Sequence, residues 1–311
     1  MKIIAKSGDE DLAMVYIAEM KNGMLIEFSE SIQPPIPREK KWVLTLSTLY
    51  GCPVKCRFCD AGGYFRGKIS TYEIISQIDF LTERRFRDKN IPIEKFKIQF
   101  SRMGEPSFNK CVLDTLEILP RIYKAPGLIP SVCSMAPKGT EKFFDRLFDI
   151  KEKFYKGRFQ LQFSIHTTDL KIRDWLIPVK KWDFEKIAEY GETFYREGER
   201  KISLDFALAK GMPIDPNVLL HHFSPDIFCM KITPLNPTYW ARKNRISPQV
   251  LLENEKNENV EALRDVGYDV IVSIGESREN QIGSNCGQHI INYLRQKGSV
   301  DGGYTYPIQR I

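Results

Sequence analysis

The chain has 311 residues, with 46 Lys and Arg against 40 Asp and Glu for a formal charge of +6, and it is 42% hydrophobic and 12% aromatic. This is the composition of an ordinary globular protein with core enough for one or two domains, and it excludes disordered, collagen-like and low-complexity classes. No apolar run approaches the roughly 18 residues that cross a bilayer, and Met1-Lys2-Ile3-Ile4-Ala5-Lys6 meets a charge too early for a signal peptide, so a cytoplasmic protein with no membrane partner is expected. The seven cysteines, three of them clustered, are spaced unlike a secreted disulfide framework and read as reduced thiols. The small basic excess permits a polyanionic partner, and a solvated mixed-charge surface gives the same total.

Near the N-terminus, residues 14–19 and 24–28 flank Asn22-Gly23, a strong two-residue hairpin turn. Gln33-Pro34-Pro35-Ile36-Pro37 then forms a stiff connector. From residue 42 short β-rich runs alternate with helical patterns. Strands are expected at 42–48, 96–101, 129–134, 159–166, 202–208, 229–235 and 268–274. Helices are expected at 70–87, opened by the capping box of Ser70 and Glu73, and near 110–119, 140–153, 184–196 and 216–222. One more is expected to start at Ser247-Pro248 and stop at Gly267. Successive strand-helix units argue a parallel α/β sheet, doubly wound or an incomplete barrel, whose chemistry lies beyond the C-terminal strand ends.

Directly after the first of these strands comes Cys52-Pro53-Val54-Lys55-Cys56-Arg57-Phe58-Cys59. Three thiolates on one short loop can hold three corners of an iron-sulfur cubane and leave the fourth iron open. A zinc site is the bland reading, but zinc takes four N or S ligands, commonly in two close pairs, and no second pair exists in the sequence. Met103-Gly104-Glu105-Pro106 follows the next strand.

The CxxxCxxC spacing resembles the radical SAM superfamily, in which the open iron chelates S-adenosylmethionine and one electron from the reduced [4Fe-4S] cluster yields a 5′-deoxyadenosyl radical. The resemblance makes Cys52, Cys56 and Cys59 the cluster ligands, puts Phe58 against the adenine of the cofactor, and implies the superfamily's incomplete (β/α)6 TIM-type barrel, here with a small N-terminal β-hairpin extension. It also implies reduced flavodoxin or ferredoxin as electron donor.

Over roughly residues 40 to 290 the chain is similar to the RlmN and Cfr RNA methyl synthases. The matching stretches are 101–109 around Gly-Glu-Pro, Ser164-Ile165-His166 with the segment after it, Thr233-Pro234-Leu235-Asn236-Pro237, and Asn285-Cys286-Gly287-Gln288. The resemblance implies that Gly104, Glu105, Ser134, Ser164, Ile165, His166 and Asn236 contact S-adenosylmethionine. It makes Cys286 the catalytic residue that is methylated before its carbon passes to an adenine, and gives Glu27 the place of a proton acceptor. The organisation expected is an extension and linker at 1–40, a barrel at 41–290 and a tail at 291–311.

Two departures bear on function. The family's second catalytic cysteine is replaced by Thr45, which cannot form a disulfide. Cys133 and Cys229 are the candidates to stand in for it, although both read more readily as buried hydrophobes, as does Cys111. About forty residues precede the first barrel strand, enough for the hairpin but not for the accessory domain of the RNA enzymes. Tyr239-Trp240-Ala241-Arg242-Lys243-Asn244-Arg245 offers aromatics and cations suited to single-stranded RNA, and equally reads as an amphipathic surface. The function expected is therefore transfer of a methyl or methylene carbon to an adenine-like carbon of RNA or another substrate. The alternatives are a radical SAM enzyme acting on a small molecule or peptide, or a metal-binding RNA-associated protein without turnover.

Overall fold

The computed structural model describes residues 1–63, 65–249, 257–273, 277–284, 289–295 and 303–311. In chain order the elements are strands β1 (Lys2–Asp9), β2 (Ala13–Glu19), β3 (Leu25–Ser31), β4 (Lys41–Leu46), β5 (Leu49–Gly51) and β6 (Phe65–Lys68), helix α1 (Thr71–Glu83), β7 (Lys95–Phe100), α2 (Cys111–Ile122), β8 (Leu128–Ser134), α3 (Glu141–Ile150), β9 (Gln160–Ser164), α4 (Leu170–Leu176), α5 (Phe184–Phe194), β10 (Ile202–Leu208), α6 (Pro216–His222), β11 (Phe228–Pro234), α7 (Tyr239–Lys243), α8 (Glu258–Asp265), β12 (Val270–Val272), α9 (Ser277–Ile282), α10 (His289–Arg295) and β13 (Gln309–Arg310). Among the described residues no helix is long and apolar enough to cross a membrane.

Strands β4, β7, β8, β9, β10, β11 and β12 pair in parallel in that spatial order, with helices in the crossovers. This is the parallel α/β sheet expected from the alternating pattern, in the incomplete-barrel form that the resemblance implies, with a short further strand ending the series. The helix-facing residues of the strands, among them Trp42, Leu44, Phe96, Ile98, Phe163, Phe206 and Ile232, are fully buried in one core. The capping box forms as the sequence implies: Ser70 N–H donates to Glu73 Oε2 at 2.9 Å and Glu73 N–H to Ser70 Oγ at 3.3 Å.

Two expectations are corrected. The N-terminal hairpin is part of a larger meander, because Lys2–Asp9 forms a strand antiparallel to β2, and β3 docks antiparallel on β4. Its edge is thereby paired, and the meander continues the barrel sheet. No helix starts at Pro248, which bridges Ala209; α8 begins at Glu258, where Asn257 Oδ1 accepts from the amides of Asn259 and Val260. Residues 250–256 lie outside the described set.

Glu30 joins meander to barrel. Its carboxylate is 2% exposed and accepts from Trp42 Nε1 at 2.9 Å, Tyr16 Oη at 3.1 Å and Arg38 Nη1 at 2.8 Å. Glu30→Ala strands all three donors, and urea denaturation is expected to show a loss of about 3–5 kcal/mol; an unchanged midpoint would mean the seam is carried by apolar packing alone.

Candidate active site

The cysteine loop is built by a tight hairpin. Strand β5 leads into it and β6 leads out, paired antiparallel. Cys52 N–H donates to Ala61 O at 2.9 Å and Cys59 N–H to Cys56 O at 3.1 Å, closing the loop on itself. Lys55 adopts a left-handed φ of 59°, and a Cβ on Gly62 would stand 2.6 Å from Lys55 Cα, so the turn needs glycine there. Cys52 and Cys56 are buried and Cys59 is partly exposed. Burial pushes the Cys52 thiol up to about 11, and burial followed by the neighbouring Cys59 and Cys52 pushes Cys56 well above its ordinary value. Burial of Cys52 and Cys56 thus disfavours uncompensated thiolates there.

The loop is held from outside by α7. Asp60, fully buried, accepts from the amides of Tyr239 and Trp240 at 3.2 and 2.9 Å and from Tyr304 Oη at 2.6 Å. Thr238 Oγ1 donates to Phe58 O at 2.6 Å, and Asn244 Nδ2 to Arg57 O at 2.7 Å. Tyr239 stacks on Tyr304 with ring centroids 5.0 Å apart, and Lys243 lies over Trp240. The aromatic-basic segment expected to offer bases a surface is engaged in clamping this loop. Asn236, nine-tenths buried, leads into the clamp at the exit of β11.

Four strand ends meet the loop. Thr48 and Leu49 N–H donate to Met103 O at 2.8 and 3.1 Å, so the segments bearing the cysteines and Gly-Glu-Pro are bonded directly. Gly104 sits at φ 104° and its missing Cβ would lie 2.5 Å from Leu49 Cβ, which explains the glycine. Glu105 is buried, which raises its pKa, and is satisfied by Ser107 N–H and Oγ at 3.1 and 2.7 Å, Ser134 Oγ at 2.6 Å and Met135 N–H at 3.1 Å. It therefore ties the end of β7 to that of β8. At the end of β9, Ser164 stands in register with Asp205, and the amides of Ile165 and His166 both donate to Asp205 O. His166 has a φ of 66°, accepts from Ala207 N–H at 3.2 Å through Nδ1, and meets Phe58 edge to face at 4.9 Å.

Glu27 and Arg102 form an ion pair at 2.7 Å with both side chains fully buried. Arg102 Nη1 and Nη2 donate to Ser284 O at 2.5 Å and Gly283 O at 2.8 Å, and Glu27 Oε2 accepts from Ile290 N–H at 2.9 Å. The pair therefore grips the chain on both sides of 285–288. Cys286 itself lies outside the described residues. Glu27, expected from the resemblance as a proton acceptor, is buried and paired with Arg102, and its carboxylate joins segments of chain. Arg102 stands where the resembling stretch has glycine, and that substitution was the overlooked signal; Asp60, directly after the third cysteine, left none.

The other thiols divide. Cys111 at the start of α2 packs against the core as expected. Cys133 is no buried hydrophobe, because it points into the barrel interior with Gln162 Nε2 at 2.6 Å. Cys229 is buried, and burial first, then the charges of Asp205 and Asp269, pushes its thiol up to about 11. Thr45 alternates with the buried Leu44 and Leu46 and so takes the interior face of β4.

Burial lowers the His166 pKa from 6.5 to about 4, with Asp205 opposing the shift and Arg173 adding to it. The folded state thus favours the neutral ring; its stability contribution is whole above pH 6.5 and is lost as pH falls toward 4. His166→Asn keeps an acceptor and tolerates the left-handed backbone, so its urea midpoint is expected to depend less on pH over that window; parallel profiles would refute the assignment.

No family model matches the chain. Among curated proteins, it is 24% identical over 253 residues to the Petrotoga mobilis protein named probable dual-specificity RNA methyltransferase RlmN, covering 77% of this chain and 69% of that one. A Mycolicibacterium gilvum protein of the same name is 26% identical over 254 residues, with 78% and 66% covered. The chain thus spans about two thirds of the length of these relatives. Among solved structures, a radical SAM methyltransferase from Sphaerobacter thermophilus superposes with a TM-score of 0.70 at 19% identity, over 92% of this chain and 80% of that one, and so shares the fold. Similarity along most of the barrel agrees with the cysteine loop and strand-end motifs: the chain resembles proteins named RlmN over the barrel and shares the fold of a radical SAM methyltransferase.

Proposed function

We propose that this enzyme cleaves S-adenosylmethionine reductively at a [4Fe-4S] cluster and installs a methyl or methylene carbon on an adenine-like sp² carbon through methylated Cys286. What carries the reading is the meeting of the cysteine loop, Gly104-Glu105 and His166 in one mouth, beside the pair that grips the chain around Cys286. The donor set fits the cluster. Among the described residues no three His, Cys, Asp or Glu side chains are drawn together around a single ion, whereas a cubane takes one thiolate on each of three irons and so asks for a wider triangle. Two buried thiols beside a third are the groups whose deprotonation such a cluster would compensate.

When bound, cluster and cofactor together supply a 5′-deoxyadenosyl radical. The chain's own part is positional. Cys52, Cys56 and Cys59 would hold three irons, and Phe58, fixed by Thr238 and His166, would flank the adenine. The backbone at Gly104 and the Ser134-Glu105 pair would shape the methionyl side. Cys286 would carry the methyl group whose hydrogen is abstracted, since an electron-poor ring carbon does not displace a sulfonium methyl as a nucleophile. Thr45 cannot resolve the resulting thioether, so release differs from the two-cysteine scheme.

Anaerobic reconstitution with iron, sulfide and S-adenosylmethionine is expected to give 5′-deoxyadenosine from the wild type and none from Cys56→Ala. Peptide mass spectrometry is expected to find Cys286 one methylene heavier. Robust 5′-deoxyadenosine with unmodified Cys286 would sink the methyl-synthase reading, and a zinc-loaded protein giving no 5′-deoxyadenosine would sink radical chemistry altogether.

A further inference from the structure

The inner face of this barrel is unlike that of an ordinary parallel sheet, whose interior positions are filled by Val, Ile and Leu. Here they carry Lys97 and Gln99 on β7, Ser131 and Cys133 on β8, Gln162 on β9, Ser203 and Asp205 on β10, and Lys231 on β11. Side chains along neighbouring strands bond to one another: Lys231 Nζ pairs with Asp205 Oδ2 at 3.3 Å and reaches Gln162 Oε1 at 3.5 Å, Gln162 Nε2 donates to Ser131 Oγ at 3.1 Å, and Ser203 Oγ donates to Asp205 Oδ1 at 2.6 Å.

Lys97 is the exception in this network. Among the described residues it has no carboxylate and no hydrogen-bonding partner, although Lys231, Cys133, Asp205 and Arg200 all act on it across the interior. Burial first, then Lys231, lowers its pKa to about 8. Among the described residues, Lys41, Lys95 and Arg200 lie toward the opposite end with Glu279 acting on Lys41, and Asp205 already serves Lys231. Lys97, Gln99, Cys133, Asp205 and Lys231 are all partly exposed, so the lumen is open to solvent, and a half-buried ammonium with no ion-pair partner in it among the described residues is a place for an anion.

We propose that the barrel interior around Lys97 binds the anionic end, phosphate or carboxylate, of a small substrate whose reacting carbon lies at the mouth. Lys97 sits three residues below the end of β7, on the order of 10 Å at the rise of a parallel strand. A terminal anion reaches that depth, whereas the phosphates of a polynucleotide are flanked by chain on both sides and suit an open groove. The placement of the reacting carbon rests on the function proposed above; the anion site rests on the interior itself.

The test is acetylation of Lys97 in the reconstituted enzyme, followed by peptide mass spectrometry, with inorganic phosphate, succinate or a single-stranded oligoadenylate present. At ten times its dissociation constant the bound small anion is expected to slow Lys97 modification about tenfold. Calorimetry is expected to show its affinity falling as pH rises through about 8, where the ammonium is lost, and Lys97→Gln is expected to bind no anion. Protection by phosphate alone or succinate alone tells which anion the site takes. Unchanged Lys97 reactivity with both small anions, or protection by the oligonucleotide only, overturns the proposal. The wild-type labelling decides the matter even if Lys97→Gln does not fold. Because 5′-deoxyadenosine is measured separately, protection without cofactor cleavage refutes the proposed function and spares the anion site, and cleavage without protection does the reverse.

Discussion

A carboxylate taken out of water must be met by donors, and the mouth of this enzyme is assembled around that requirement. Asp60, Glu105 and Glu27 are all buried, and each is satisfied by a segment distant in the chain. Asp60 binds the cysteine loop to the start of α7 and to Tyr304; Glu105 binds the end of β7 to that of β8; Glu27 draws Arg102 and the amide of Ile290 to β3. Because an unmet buried charge is far more unfavourable than a lost surface contact, these joints leave the loops little freedom to drift apart. The cysteine loop is thereby fixed against the strand ends.

The same logic separates the two layers of the barrel. On the helix side, apolar residues interlock into a continuous core, with Trp42, Phe96 and Phe100 among its largest members. On the inside, polar residues bond from strand to neighbouring strand, and Lys97 has no ion-pair partner among the described residues. An interior so furnished stabilises the fold less than packed Val and Ile would, which is the signature of a surface kept for a ligand rather than for stability.

Arg102 shows how one residue changes an inherited site. Where the resembling stretch has glycine, the guanidinium occupies the space, neutralises Glu27 and holds the carbonyls of Gly283 and Ser284. Together with Thr45 on the interior face of β4, it marks a mouth that departs at two positions from the stretches it resembles.

Much of this was legible in the residues alone. Alternation of apolar positions specified the parallel strands, local hydrogen bonding specified the capping box at Ser70, and the spacing of Cys52, Cys56 and Cys59 specified a three-thiolate loop, because each of these is a short-range property. The strand that completes the N-terminal meander, the use of Tyr239 and Trp240 as a clamp instead of a stacking surface, the burial of Glu27 and the polar interior were decided by tertiary structure. Each depends on which residues from remote strands are brought face to face, and on how much water remains between them; neither is written in the spacing of neighbours along the chain.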